Sequence, residues 1–411
     1  MGGIYWILIS VLVVSTIIVA LPFVILYVKS NKKGIAKLSN CAISHELEFG
    51  GAYVKISIDD FNKLGFDFGD SVNISFSNGY NYYDIPYYNG YYSDTGSTQL
   101  LGYPGSEYVK VAISNGDDLW DIADLDTKTL DGEQNMLWDI AKLSDDTTVT
   151  ITLAKKGKYL DIQNARDIHY FDEREQYTTD EVFANFRSMK GGKLRENYFY
   201  RSASPCDNQH CRASYVDELI KKAGIKFVIN LADDEQKIQS YIKKSDYNSP
   251  YFSTLYDANN TANDCVEPLA FTMNYKSQSF KKQTVKAMIA ILEHEGPFLV
   301  HCTEGKDRTG FICLVIEALA ECSYNEIVSD YMITYANYYS ITKELDENKY
   351  NIIVNNVLSP MIKSIIQKRH IDIKKTNLAD CVKKFLIKNG MTAEQIKKLQ
   401  AKLIGETNKK D

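Results

Sequence analysis

The sequence has no surplus of positive charge. Its 47 lysines and arginines stand against 53 aspartates and glutamates, for a net charge of -6. No finger, basic arm or Arg-rich run supplies a local cation patch, so nucleic acid is excluded as a general partner. The eight cysteines lack the tight spacing of a disulfide framework, which suits a reducing compartment. A metal framework is missing too: Cys206-x-x-x-His210-Cys211 has no evident fourth ligand, and a structural zinc site needs four. Nor is there a repeat array. Leu-Trp-Asp-Ile-Ala occurs twice, at 119–123 and 137–141, too short and isolated for a solenoid.

From Ile4 to Val28 charge itself is absent, over 25 residues. At 1.5 Å per residue a helix of that length reaches about 37 Å, enough to cross a bilayer core of about 30 Å with some tilt. A cleaved signal peptide is the competing reading, but the apolar run is too long for its core and no basic segment precedes it. Residues 4–28 are therefore expected to be a transmembrane anchor. Lys29, Lys32, Lys33 and Lys37 follow the run, and positive charge on that side places the rest of the chain in the cytoplasm.

What is present fits a soluble globular protein beyond the anchor. At 411 residues, 45% hydrophobic and 24% charged, the chain is long enough for two folded units. Residues 29–160 read as a β-rich domain. Short runs such as Val54–Ile58, Ser71–Phe76 and Thr147–Leu153 are separated by Asn78-Gly79, Asn89-Gly90 and Asn115-Gly116. Seven tyrosines lie between Tyr80 and Tyr92; a stacking surface is one reading, and tyrosine's preference for strands is the plainer one. Residues 161–411 change texture. Strand-like Phe227–Leu231 and Pro297–His301 alternate with amphipathic Ala213–Ala223 and Lys281–His294, an α/β pattern. The last third is helical, with Asn389-Gly390 closing one helix and Thr392-x-x-Gln395 opening the next as a capping box.

One segment concentrates chemistry. Residues 301–311 read HCTEGKDRTGF, between an apolar run (Phe298, Leu299, Val300) and a helix-like one (Ile312, Leu314, Val315, Leu319). A structural cysteine would want apolar neighbours and a zinc ligand would want partners at short spacing, and neither condition holds around Cys302. As a loop between strand and helix, the segment supplies successive backbone N–H groups, freed to turn inward by Gly305 and Gly310, and the positive end of a helix. Thr303, Glu304, Gly305, Lys306, Asp307, Arg308 and Thr309 would then cradle a phosphate, with Arg308 adding a planar fork for two of its oxygens. In such a field Cys302 is expected to react as the thiolate. Beneath a bound phosphoryl group it is placed for in-line attack, giving a cysteinyl-phosphate that water hydrolyses, and this chemistry requires no metal or other cofactor. Thr309 can hydrogen-bond the departing sulfur, and His301 is expected to fix the loop rather than act as a base.

Cys302-x5-Arg308-Thr309 within HCTEGKDRTG resembles the signature loop of the cysteine-dependent protein tyrosine phosphatases. It is most similar to a bacterial group whose loop reads HC-x-x-GKDRTG and which includes enzymes active on phosphoinositides. Asn185-Phe186-Arg187, Tyr200-Arg201-Ser202 and Asp330-Tyr331 resemble further motifs of that group. The resemblance implies a phosphatase domain with a central sheet flanked by helices. It also implies a carboxylate that protonates the leaving oxygen, set just after the strand corresponding to Lys226–Leu231, where relatives read Asp-Leu-Arg. Here the sequence is Asn230-Leu231-Ala232-Asp233-Asp234. Asp233 is the candidate acid, with Asp234, Asp257 and Asp307 as alternatives.

In the β-rich domain the segments GDSVNISF, IPYYNGYYSDTG and VKVAISNG resemble the small β-domain of the S-adenosylmethionine hydroxide adenosyltransferases. The expected whole is a transmembrane anchor, a small β-rich domain and an α/β phosphatase domain that hydrolyses phosphotyrosine in proteins. A phosphoinositide or inositol phosphate is the alternative substrate. Lys306 beside Arg308 would suit a multiply phosphorylated ring, and Glu304 works against that. A third possibility is a membrane-tethered ligand-binding module whose phosphatase activity is secondary.

Overall fold

The computed structural model describes residues 35–125, 147–256, 265–368 and 371–405. The anchor segment 4–28, the second Leu-Trp-Asp-Ile-Ala and Asp257 lie outside the described residues. Among those described, no helix is long and apolar enough to cross a membrane. The chain divides into two compact units. The first runs to Asn89 and resumes over Gln99–Ala112 and Asp118–Leu160; the second takes Gly90–Thr98, Ile113–Asp117 and the described residues from Asp161 onward.

The first unit is a closed seven-stranded barrel. Its strands are β1 (Lys37–His45), β2 (Ala52–Ser57), β3 (Ser71–Phe76), β4 (Asn81–Tyr88), β5 (Thr98–Leu101), β6 (Tyr108–Ile113) and β7 (Thr148–Lys155). They close in the order β1-β2-β6-β5-β4-β3-β7. Alternation drives the closure: Val72, Ile74 and Phe76 are buried, and Ile74 faces Ile151 while Phe76 faces Val149 across the β3/β7 pair. The tyrosine cluster is divided by burial, not by alternation. Tyr87 and Tyr88 are in the core, with Tyr87 against Phe61 and Phe68, whereas Tyr80 and Tyr83 are exposed.

The second unit is built on a five-stranded sheet: β8 (Arg187–Ser188), β9 (Phe199–Ser202), β10 (Phe227–Asn230), β11 (Val266–Pro268) and β12 (Phe298–His301), in the order β11-β10-β12-β9-β8. The pairs among β11, β10, β12 and β9 are parallel, and β8 pairs antiparallel to β9. FVIN and FLVH are buried at every position, the pattern of parallel strands covered on both faces. The helices used below are α1 (Leu160–Arg166), α2 (Ala213–Lys222), α3 (Glu235–Ile242), α4 (Gln278–Glu293), α5 (Asp307–Leu319), α6 (Tyr324–Tyr339), α7 (Leu378–Lys388) and α8 (Ala393–Ile404). Helix α5 is buried throughout from Thr309 to Leu319, Glu317 included, as a helix apolar on nearly every side must be. Helix α8 starts at the Thr392–Gln395 capping box, and Asn389 caps α7.

This topology decides where a ligand can sit. Strand β12 is last in the sheet by sequence yet lies between β10 and β9, so the carboxyl ends of three parallel strands open onto one edge. Ligands of open α/β sheets bind at that edge. Ser202, Asn230 and His301 end these strands, and each is followed by the loop residues that concern the site.

Candidate active site

Strand β12 delivers Cys302, 3% exposed, to the sheet edge, and α5 begins at Asp307. Between them the chain must turn sharply. Gly305 does so at φ +70°, and a Cβ there would stand 2.2 Å from the Ser202 carbonyl oxygen, so both the conformation and the space demand glycine. Gly310 has a different task from the one its position suggests. It is not part of the turn but lies inside α5, where a Cβ would meet the Tyr331 ring at 2.6 Å.

The loop's carbonyls are all held by the scaffold. The Ser204 N–H donates to the Thr303 carbonyl at 3.0 Å, the Tyr338 hydroxyl to that of Glu304 at 2.9 Å and Arg201 to that of Gly305 at 2.9 Å. Asn185 Nδ2 donates to both of the latter, at 3.3 and 3.2 Å. Because a peptide's C=O and N–H point in opposite directions, turning the carbonyls toward the scaffold turns the amides away from it. The N–H groups of Thr303, Glu304, Gly305, Lys306, Asp307 and Arg308 donate to no group among the described residues. Successive unpartnered amides at a helix N-terminus form an anion-binding concavity.

The motifs around residues 185, 201 and 330 explain themselves here. Arg201, 1% exposed, pairs with Asp330 at 2.5 Å, and Arg187 reaches the other carboxylate oxygen at 2.8 Å. Burial opposes the charge on Asp330, but the two guanidinium groups hold its carboxyl well below the usual range. Arg187 also donates to the Asn185 side-chain oxygen at 2.7 Å. Asn185 itself sits at φ +51°, which asparagine tolerates. These residues form a buried frame that grips the loop from outside and leaves its interior free.

Inside the loop, Arg308 Nη2 donates to Thr303 Oγ1 at 3.1 Å and Nη1 to the Phe271 carbonyl at 3.4 Å, while its buried Nε has no partner. The Thr309 hydroxyl is fully buried and also unpartnered. His301 is buried with Nδ1 3.3 Å from the Cys302 carbonyl, and burial pushes the imidazole down to about 3. It is neutral near pH 7 and braces the loop. Lys306, in contrast, is spent: its ammonium lies 2.8 Å from Glu304 and donates to the Tyr339 hydroxyl at 3.2 Å. Burial works against the Glu304 carboxylate, but Lys306 and a hydrogen bond from Tyr170 hold it down at about 2.

The carboxylates divide clearly. Asp233 follows β10 and is 1% exposed; its carboxylate accepts from Asn230 at 3.2 Å and Tyr241 at 3.3 Å, with Lys237 at 3.7 Å. Asp234 caps α3 through the Lys237 N–H at 2.8 Å. Asp307 is more open, with its side chain 29% exposed, and lines the same cavity as Arg308. Of the cysteines in the Cys206-x-x-x-His210-Cys211 segment, Cys206 is buried beside Ser204 and Cys211 is exposed. Among the described residues no group of three metal-ligating side chains occurs.

Sequence reading missed the scaffold's tyrosines. Tyr170, Tyr338 and Tyr339 enclose Glu304 and Lys306, but nothing in their spacing distinguishes them from core residues.

A strand-loop-helix that ends in a cysteine, an arginine and free amides, at the carboxyl edge of a parallel sheet, defines a phosphate-handling α/β domain. Comparison with protein families makes this specific: the chain belongs to the tyrosine phosphatase family, whose model matches residues 159–405. Among solved structures it is similar to the core catalytic domain of the PP-IP phosphatase SIW14 from S. cerevisiae, in complex with citrate. The identity is 18% over 42% of this chain and 91% of that one, with a TM-score of 0.25. No curated protein matches the chain in sequence.

Proposed function

We propose that the chain hydrolyses phosphate monoesters through a cysteinyl-phosphate, with phosphotyrosine as the simplest substrate. The observation that carries this is the row of unpartnered amides from Thr303 to Arg308 around Cys302. Bound there, a phosphoryl group has its oxygens paired with amides and the Arg308 fork, and its phosphorus faces the sulfur. The Cys302 thiolate attacks, the S–P bond forms and the P–O bond to the leaving group breaks. The leaving oxygen takes a proton from a carboxylate, Asp233 in the sequence reading or Asp307 by its place beside Arg308. Water then attacks phosphorus, giving its proton to the same carboxylate, and the sulfur departs with the electron pair, stabilised by the Thr309 hydroxyl. The test is rapid quenching of a reaction with labelled aryl phosphate. Label should appear on Cys302 in protein denatured at alkaline pH, where an S–P monoester persists; steady turnover with no labelled cysteine, even when the second step is slowed, would refute the mechanism.

A second reading, that the substrate is a phosphoinositide or inositol phosphate, is favoured by one observation, a second guanidinium in the cavity that holds Arg308. Assays on phosphotyrosine peptides and phosphoinositides side by side separate the two.

The proposal keeps residues 4–28 as a membrane anchor and the catalytic domain in the cytoplasm, supported by the uncharged run and the lysines after it. The full chain should pellet with membranes and resist protease added outside sealed cells. Cleavage of the catalytic domain from outside would reverse the topology.

A further inference from the structure

With Lys306 held by Glu304 and Tyr339, extra positive charge beside Arg308 has to come from elsewhere in the fold. Arg166, the last residue of α1, lines a cavity of about 190 Å³ together with Arg308. A single water needs only roughly 15 Å³ of such space, so the cavity has room for a ligand group. Arg166 is half-buried, lies 5.4 Å over the Tyr92 ring, and makes no ion pair with a carboxylate among the described residues.

The cavity does contain two carboxylates, Asp94 and Asp307, and neither pairs with Arg166 or Arg308 among the described residues. Asp94 accepts from the Tyr275 hydroxyl at 2.5 Å and from Lys276 at 2.8 Å. Asp307 lies 3.9 Å from Lys306. Arg166 and Arg308 thus line one cavity, and neither pairs with a carboxylate among the described residues. A partly desolvated cation without a counter-charge is costly, and a planar guanidinium is suited to a phosphate.

We propose that Arg166 binds a second anionic group of the substrate, next to the phosphoryl group held by residues 303–308. The site then takes a ring with more than one phosphate: an inositol phosphate, free or as the headgroup of a phosphoinositide. The assignment rests on the reading of the Cys302 loop as the phosphate site. It places the selectivity on a residue well outside the signature motif.

The experiment compares full-length wild type, Arg166→Gln and Arg166→Lys on four substrates: phenyl phosphate, a doubly phosphorylated tyrosine peptide, a soluble inositol bisphosphate and phosphatidylcholine vesicles carrying a phosphoinositide bisphosphate. The ratio of kcat/KM on the bisphosphates to that on phenyl phosphate should fall about 10- to 100-fold in Arg166→Gln, the range for a hydrogen bond to a charged group. Arg166→Lys should regain part of that ratio, which also guards against a variant that merely folds poorly. Arg166 dependence with the soluble ring supports the free phosphate as ligand, and dependence with vesicles alone supports the headgroup. An unchanged ratio in Arg166→Gln overturns the proposal, as does a wild-type preference for a doubly phosphorylated tyrosine peptide over both bisphosphates. Calorimetric binding of inositol bisphosphate and of inorganic phosphate to Cys302→Ser, with and without Arg166→Gln, separates this from the chemistry. If the bisphosphate alone depends on Arg166 there, the second anion site stands even were turnover to proceed without Cys302.

Discussion

Cys302→Ser should lose turnover by on the order of 10⁴-fold or more while still binding phosphate analogues. Removing a nucleophile that works as part of a unit costs the full rate advantage of the unit, because a serine hydroxyl in the same place offers no anionic attacker. Binding has a different source. The amides of Thr303 to Arg308 and the Arg308 fork are intact in the variant, and the frame of Arg187, Arg201 and Asp330 that turns those amides inward does not touch the sulfur. Replacing a thiolate by a neutral hydroxyl also removes a negative charge facing a negative ligand, so vanadate or phosphate should bind as tightly as to wild type or more tightly. Calorimetry and a steady-state assay on the same preparation check both halves. Appreciable turnover by the serine protein would remove the cysteinyl-phosphate from the mechanism; lost binding would move the phosphate site off this loop.

The parts of the site legible in the sequence were those packed into consecutive residues. HCTEGKDRTG brings nucleophile, glycine turn and guanidinium together within one loop, so no tertiary information was needed to see their joint purpose. Strands such as FVIN and FLVH were equally legible, since a strand buried on both faces must be apolar at every position. Gly310 shows how the same reading can fail. Its place in the motif suggests a turn, whereas its cause is the Tyr331 ring on a neighbouring helix, which only the fold brings there. Charge was legible only in part, with Glu304 already weighed against Lys306. Lys306 is adjacent to Arg308 in sequence and reads as a second substrate cation, yet Glu304 and Tyr339 take up its charge. Arg166, more than a hundred residues upstream, is the guanidinium that shares the Arg308 cavity. Spacing cannot reveal a partner delivered by a different helix.

Asp307→Asn should slow turnover of a phenyl ester by about 10² to 10⁴, the usual contribution of a positioned acid, and this result would decide between two carboxylates. Sequence points to Asp233, because it follows the strand after which the family's acid is expected. Geometry favours Asp307. It lines the cavity with Arg308 and its side chain is 29% exposed, whereas Asp233 is buried at 1% and occupied with Asn230, Tyr241 and Lys237. An acid must come within hydrogen-bond reach of the leaving oxygen, and a carboxylate bound on several sides must first give up those partners. Asp233→Asn is therefore expected to act chiefly on stability, by weakening the contacts that join β10 to α3. The diagnostic is the leaving group. With an ester whose alcohol needs no proton, the deficit of the acid variant should shrink toward wild type, while a deficit from misfolding stays the same on both esters. A leaving-group-dependent loss in Asp233→Asn, with Asp307→Asn near wild type on both, would return the role to Asp233. The thiolate step is independent of that outcome, since it depends on Cys302 and Arg308 and not on which carboxylate protonates the departing oxygen.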